Sequence, residues 1–348
     1  MGRRSLLADA AAGAAGVFIG TSAGASTARV AATPLRSADG SFELTSISDV
    51  SRNGRVLGFS GSGADGYRRG VWGKGRLVEL AAPEGGSVST AESVNSLGQV
   101  AGSGYLDGVR RPVLWSGGKP QVLGQDATPA YAAYAAYVND RGQVLVNVLK
   151  EEPVADEVTP WRLHLHQHGE VTPVDLPAHE QYAHSPHGLS HRGHVVADVG
   201  FMGWPGDHYV WRAGEAVRLR RDYFPLTPEA VNSAGQVAVS AMEMDPDGDM
   251  WVYIWQDGQD RDFPGSGWST FRGSRQVLNA RGDVVGAHRV DEKWQPFLWT
   301  GDQVSTLLTL GGDAETTAVA INNRREIAGT SPDPGGTPPT RCCGGTAG

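Results

Sequence analysis

The sequence predicts an all-β chain: a seven-bladed β-propeller of four-stranded repeats about 44 residues long, its last blade incomplete and closed by an N-terminal strand. Three observations carry this expectation. A glycine turn motif returns along the chain, a tryptophan motif follows it at a near-constant distance, and no segment shows the 3.6-residue apolar period of an amphipathic helix.

The turn motif reads SRNGRVLGF (51–59), NSLGQVAGS (95–103), NDRGQVLVN (139–147), SHRGHVVAD (190–198), NSAGQVAVS (232–240), NARGDVVGA (279–287) and NNRREIAGT (322–330). Its glycines are Gly54, Gly98, Gly142, Gly193, Gly235 and Gly282, with Arg325 in the seventh place, at successive spacings of 44, 44, 51, 42, 47 and 43 residues. Asx-Gly pairs of this kind make tight connections because glycine reaches positive φ without strain. The second motif reads GVWGKG, PVLWSGG, HYVWRAG, YIWQDG and PFLWTGD, placing Trp72, Trp115, Trp211, Trp255 and Trp299 17 to 20 residues after their glycines. In the third repeat HLHQHGE puts His166 where the others have tryptophan. The valine, isoleucine, phenylalanine and tryptophan around both motifs suit half-buried strands. Each unit reads strand, N-x-x-G turn, strand, variable loop, strand, W-x-x-G-like turn, strand, which is a propeller blade. The stretch ARVAATPLR (28–36) aligns with a blade's closing strand and is expected to lock the ring, leaving only short edges.

These two motifs resemble those of the extracellular HAF-repeat family, whose I-N-x-x-G-x-V-x-G followed by A-F-L-W is close to AINNRREIAG and PFLW here. The resemblance covers almost the whole chain after residue 25. It implies export and a propeller-like fold, and it brings no activity or catalytic residue.

At the N-terminus, Arg3 and Arg4 precede a mildly apolar stretch and the small residues Ala23-Gly24-Ala25. That is the anatomy of a twin-arginine-like export signal over 1–25, cleaved near Ala25, giving an extracellular protein. The repeats then occupy 26–330. No other apolar run approaches the length of a membrane span. The net charge of −8, without a basic run, argues against nucleic acid as a partner, because such binding depends on neutralising phosphates.

The tail, TPPTRCCGGTAG, holds the chain's two cysteines, Cys342 and Cys343, where the seventh tryptophan strand is due. Back-translation from Pro338 in a shifted frame permits HALLWRDG, so 331–348 is expected to be a loose, frameshifted tail with no chemistry of its own.

Strand alternation puts all tight turns on one face of the ring and all variable loops on the other. Function is expected on the loops. Five tryptophans fall outside the core position, in or beside the loops: Trp161, Trp204, Trp251, Trp268 and Trp294. Aromatic rings there suit flat ligands such as glycans or other small molecules. Nine of ten histidines lie within 164–208. His179, His184, His187 and His208 map to the loop face, and His168, His191 and His194 to the turn face, so a single metal site collecting them all is not expected. His187 and His208 join the expected ligand-binding set. EMDPDGDMW (243–251) alternates Asp245, Asp247 and Asp249 around a glycine, like the start of a calcium loop, although a solvated turn has the same pattern. YAAYAAY (131–137) fits either one helical turn in a loop or inter-blade packing.

Two functions follow: a monomeric, exported propeller that recognises a glycan or small molecule on its loop face, or an enzyme (a polysaccharide lyase or hydrolase, or a secondary-metabolite cyclase) working at the mouth of the central channel. No nucleophile–base pair is visible in the sequence, and the fold alone cannot decide between them.

Overall fold

The computed structural model describes residues 15–18, 35, 40–42, 44, 46–60, 67–124, 132–149, 161–177, 182–200, 206–219, 226–242, 250–264, 269–271, 276–290, 293–301, 303–307 and 317–330. The tail, the 243–249 loop, Trp204 and Trp268 lie outside them.

Six antiparallel four-stranded sheets follow one another along the chain, each with its strands in sequence order. Blade 1 is Ser46–Val50, Val56–Ser60, Arg68–Gly73 and Arg76–Glu79; blade 2 is Gly86–Val94, Gln99–Leu106, Val109–Ser116 and Lys119–Val122; blade 3 is Ala132–Val138, Val144–Leu149, Arg162–Gln167 and Glu170–Pro173. Blade 4 is Ala183–Leu189, Val195–Gly200, Asp207–Arg212 and Glu215–Leu219; blade 5 is Leu226–Val231, Val237–Met242, Met250–Gln256 and Gln259–Asp262; blade 6 is Ser269–Thr270, Val284–Val290, Lys293–Thr300 and Gln303–Thr306. YAAYAAY is therefore strand, not helix.

The described residues form six four-stranded blades, not seven. The seventh repeat, expected as an incomplete last blade, supplies Thr317–Ile321 and Ile327–Thr330 among them. Its third strand is Ala15–Phe18, antiparallel to Ile327–Thr330 with Ala15 opposite Thr330 and Phe18 opposite Ile327. The added strand thus comes from within the stretch read as an export signal, while 28–36, expected as the closing strand, lies outside the described residues except for Leu35. Leu35 is buried, and its carbonyl accepts the Leu44 N–H at 3.0 Å.

Both turn motifs have a physical basis. In the N-x-x-G turn the glycine sits near φ +80°, as at Gly98 (+82°), and Arg325 adopts +63° in its place. In the W-x-x-G turn two successive residues have positive φ, such as Asp257 (+50°) and Gly258 (+83°), the twist a two-residue hairpin needs.

The asparagine of the first turn does more than shape it. Asn279 Oδ1 accepts the N–H groups of Arg281 and Asp283, while Nδ2 donates to Asp283 Oδ2 and to the Asn322 carbonyl of the next repeat. Asn95, Asn139 and Asn232 repeat the pattern, donating to the carbonyls of Asn139, Ser190 and Asn279. A girdle of buried amides therefore joins successive blades around the inner strands. These strands surround a channel of about 60 Å³, lined at its turn-face end by Arg52, Asp140 and His191.

Each core tryptophan packs against the preceding blade. Trp115 meets Leu57 and Val71, Trp211 meets Leu165, Trp255 meets Val210, and Trp299 meets Ile254. Trp72 faces the three-stranded sheet and is only half-buried, beside a cavity of about 360 Å³ lined by Val56, Ile327 and Ala328.

Candidate functional site

The first strands of the blades carry β-bulges at one recurrent position, six residues before the turn glycine or its substitute. The residues left over by the pairing register are Ser48, Glu92, Ala136, His187, Glu229 and Val319. A bulge re-aims a side chain, and bulges concentrate beside active sites. At blades 4 and 5 the re-aimed residues are ionisable, and each follows a proline (Pro186, Pro228), which has no N–H to give to a ladder.

Five residues after the turn glycine, on the neighbouring second strand, blades 2 to 5 carry Ser103, Asn147, Asp198 and Ser240. Blades 1 and 6 have Phe59 and Ala287 there. Blades 2 to 5 thus carry a continuous polar arc at a position that is apolar in blades 1 and 6.

The arc is hydrogen-bonded along its length. Thr90 and Ser103 hydroxyls lie 2.9 Å apart, and Arg110 Nε donates to Ser103 Oγ at 2.9 Å with its guanidinium 4.5 Å above the Tyr134 ring. Asn147 Nδ2 donates to Tyr134 Oη and to the His184 carbonyl. His184 N–H in turn reaches the Trp161 carbonyl at 3.0 Å. His187 Nε2 and Asp198 Oδ1 are 3.0 Å apart, Tyr137 Oη donates to the His187 carbonyl at 2.6 Å, and Ser240 Oγ donates to Glu229 Oε1 at 3.0 Å. Asn147 Oδ1 and His184 Nδ1 are buried with no hydrogen-bond partner among the described residues. Buried polar atoms are normally paired, so these two retain free hydrogen-bonding capacity within the arc.

The environment sorts the ionisable groups. Burial pushes the Glu229 carboxyl up to about 7 against the opposing Ser240 hydrogen bond. Burial also pushes Asp198 up, but the hydrogen bond and charge of His187, with His208 behind it, outweigh this and hold it below the usual carboxylate range. His208 is pushed down to about 4 by burial and by His187, and His184 to about 4 by burial and Arg162. Near neutral pH the arc therefore holds an ionised carboxylate, two uncharged imidazoles and a carboxyl group that retains its proton up to about pH 7.

Of the expected ligand-binding residues, His187 and His208 come together, with ring centroids 5.9 Å apart. Trp161 lies 5.6 Å from Tyr134 with the rings tilted at 59°, and its carbonyl accepts the His184 N–H. Trp251 and Trp294 stand on the third strands of blades 5 and 6, with Trp251 packed on the core beside Tyr253. Trp204, Trp268, Asp245, Asp247 and Asp249 lie outside the described residues. His191 belongs to the turn face, 3.8 Å from Asp140. His168 sits in a turn at φ +51°, off the strand that carries His164 and His166. Among the described residues no three histidines, cysteines or acids are grouped to hold a metal ion, and no helix is long and apolar enough to cross a membrane. Asp198, Glu229 and Asn147 were missed by the sequence reading. Their signal was positional: polar residues at fixed offsets from the turn glycine.

No family model matches the chain, and no curated protein matches it. Among solved structures it is similar to the β-propeller domain of the Trilobed protease from Pyrococcus furiosus, described as having an open velcro topology, with a TM-score of 0.51 and 14% identity over 81% of this chain and 86% of that one. It is also similar to Pyrococcus horikoshii acylaminoacyl peptidase, with a TM-score of 0.51 and 10% identity over 82% of this chain. The chain spans about half of that peptidase, 52% of its length. At these identities the likeness shows the fold: an all-β propeller.

Proposed function

We propose that this chain is an exported, monomeric propeller of the HAF-repeat kind that binds a hydroxyl-rich small molecule or glycan on its loop-face side, with the polar arc of blades 2 to 5 as the binding surface. One observation carries the reading: four consecutive blades place a polar side chain at the same level, and that arc retains the unsatisfied buried atoms Asn147 Oδ1 and His184 Nδ1. A sugar hydroxyl both donates and accepts, so it suits a surface offering Asp198, neutral His208 and protonated Glu229 together. Trp161 supplies the flat apolar neighbour that such ligands stack against. A glycan array followed by calorimetry tests this. Wild type binds, and Asp198→Ala, which strips His187 of its partner, loses at least tenfold. An array with no ligand, or full binding by Asp198→Ala, overturns it.

A second reading is favoured by the opposed carboxyls. Asp198 stays ionised while Glu229 keeps its proton, and both interact with His187. Two acids pushed apart in this way are the usual base and acid of hydrolysis or elimination. Turnover of a bound glycan by wild type and its loss in Glu229→Gln would select the enzyme over the binder.

A further inference from the structure

Four blades insert a core tryptophan beside the blade before them, and blade 3 inserts His166. The structure shows what the exchange leaves behind: a cleft of about 670 Å³ between blades 2 and 3, walled by Leu114, Leu123, Val144, Gly124 and His166 and bordered by Gln99 and Gln121. Trp115, Trp255 and Trp299, by contrast, are at most 1% exposed in their own junctions.

The repeat also shows what this cleft fits. At the junction of blades 1 and 2, Trp115 Nε1 donates to the Ala81 carbonyl at 2.7 Å. Ala81 follows Leu80, whose N–H bonds the Arg69 carbonyl; Gly124 follows Leu123, whose N–H bonds the Pro112 carbonyl. Arg69 and Pro112 each lie three residues before their blade's tryptophan, so Gly124 holds the place of Ala81. The His166 ring reaches this spot: a Cβ built on Gly124 would lie 3.4 Å from its Cε1. His166 Nε2 is itself buried with no hydrogen-bond partner among the described residues. Wall, acceptor and a second polar atom stand where the junction of blades 1 and 2 holds the Trp115 indole.

We propose that the cleft between blades 2 and 3 is a binding site for a small planar heteroaromatic molecule with one ring N–H, which donates to the Gly124 carbonyl and lies between Leu114 and His166. It is separate from the polar arc and independent of what the arc binds. The cleft is open on one side and its lining is mixed, polar at Gln99, Gln121 and Asp140; a ring seated against Leu114, Leu123 and Val144 recovers contacts that the void lacks.

Indole is the probe. Calorimetry on the full chain is expected to give a dissociation constant on the order of 0.1 mM, in the range a nine-atom ligand reaches. His166→Trp, which restores the repeat's own residue, is expected to weaken binding at least tenfold and to raise Tm; Leu114→Trp fills the cleft from the other wall and also weakens it tenfold. Naphthalene, which has no N–H, is expected to bind at least fivefold more weakly. In the wild-type protein, NMR shift changes on adding indole should fall on His166 and Leu114. Absence of binding at millimolar indole, shift changes confined to other residues, or undiminished binding in a folded filled-cleft variant overturns the site. Equal binding of naphthalene overturns the Gly124 hydrogen bond.

Discussion

Asn279 donates from Nδ2 to the Asn322 carbonyl at 3.1 Å, across the boundary between blade 6 and the seventh repeat. Both residues are about 1% exposed, so water cannot replace the bond if it is lost. Asn279→Ala removes four hydrogen bonds, leaves the Arg281 and Asp283 N–H groups without their acceptor, and leaves the Asn322 carbonyl with the Arg325 N–H alone. The expected cost is about 2–4 kcal/mol, measured as a drop in the urea midpoint at unchanged slope.

Glu229 sets a pH dependence opposite in sign to that of the histidines. Its folded pKa, about 7, lies above its unfolded value, so its stabilisation is present at pH 4.5 and lost as pH rises through 7. Glu229→Gln has no such loss. The stability of the variant relative to wild type should therefore grow between pH 4.5 and 8 by on the order of 2–3 kcal/mol. His166, His184 and His208 are held neutral down to about 4, so both proteins lose stability as pH falls from 6.5 towards 4. Thermal melts across this range read both limbs, and a pH-independent difference would contradict the Glu229 assignment.

Trp72 and Trp299 occupy the same place in their repeats but not the same environment. Trp299 is 1% exposed between complete blades, whereas Trp72 borders the cavity beside Ile327. Trp299→Ala should cost about 3–5 kcal/mol and Trp72→Ala less than half of that. Denaturant titration of the two variants side by side makes the comparison.

Ala15–Phe18 covers the outer edge of Ile327–Thr330. A chain beginning at residue 26 lacks that strand. Hydrogen exchange at Ile327–Thr330 should then speed up at least tenfold, while the second strands of blades 2 to 5 keep their protection. Equal exchange in the two chains would show that the N-terminal strand is not a lasting part of the sheet.

The turns and core were legible in the sequence because they obey short, repeated rules. A glycine at positive φ and a tryptophan at a fixed distance leave a period that self-comparison finds. The polar arc was not legible in the same way. His187 and Asp198 are 11 residues apart and meet only through the pairing register, which shifts at a bulge that no composition rule marks. Asn95 and its counterparts were read as turn formers, since the sequence does not reveal that the same amide reaches the next repeat some 44 residues away. The closing strand was placed at 28–36 by its likeness to an outer strand. The edge at Ile327–Thr330 is met by Ala15–Phe18, in the third-strand position, which no likeness among the repeats pointed to.

The amide girdle runs in one sense: Asn95, Asn139, Asn232 and Asn279 each donate to a carbonyl of the unit that follows. Every repeat with this asparagine thus carries both halves of its joint, a donor for the unit ahead and an acceptor for the unit behind. Duplicating or deleting such a repeat changes the number of units without leaving an unmatched seam. Copy number in this architecture is therefore limited by ring curvature and by how the two chain ends meet, while the chemistry of the joint stays the same.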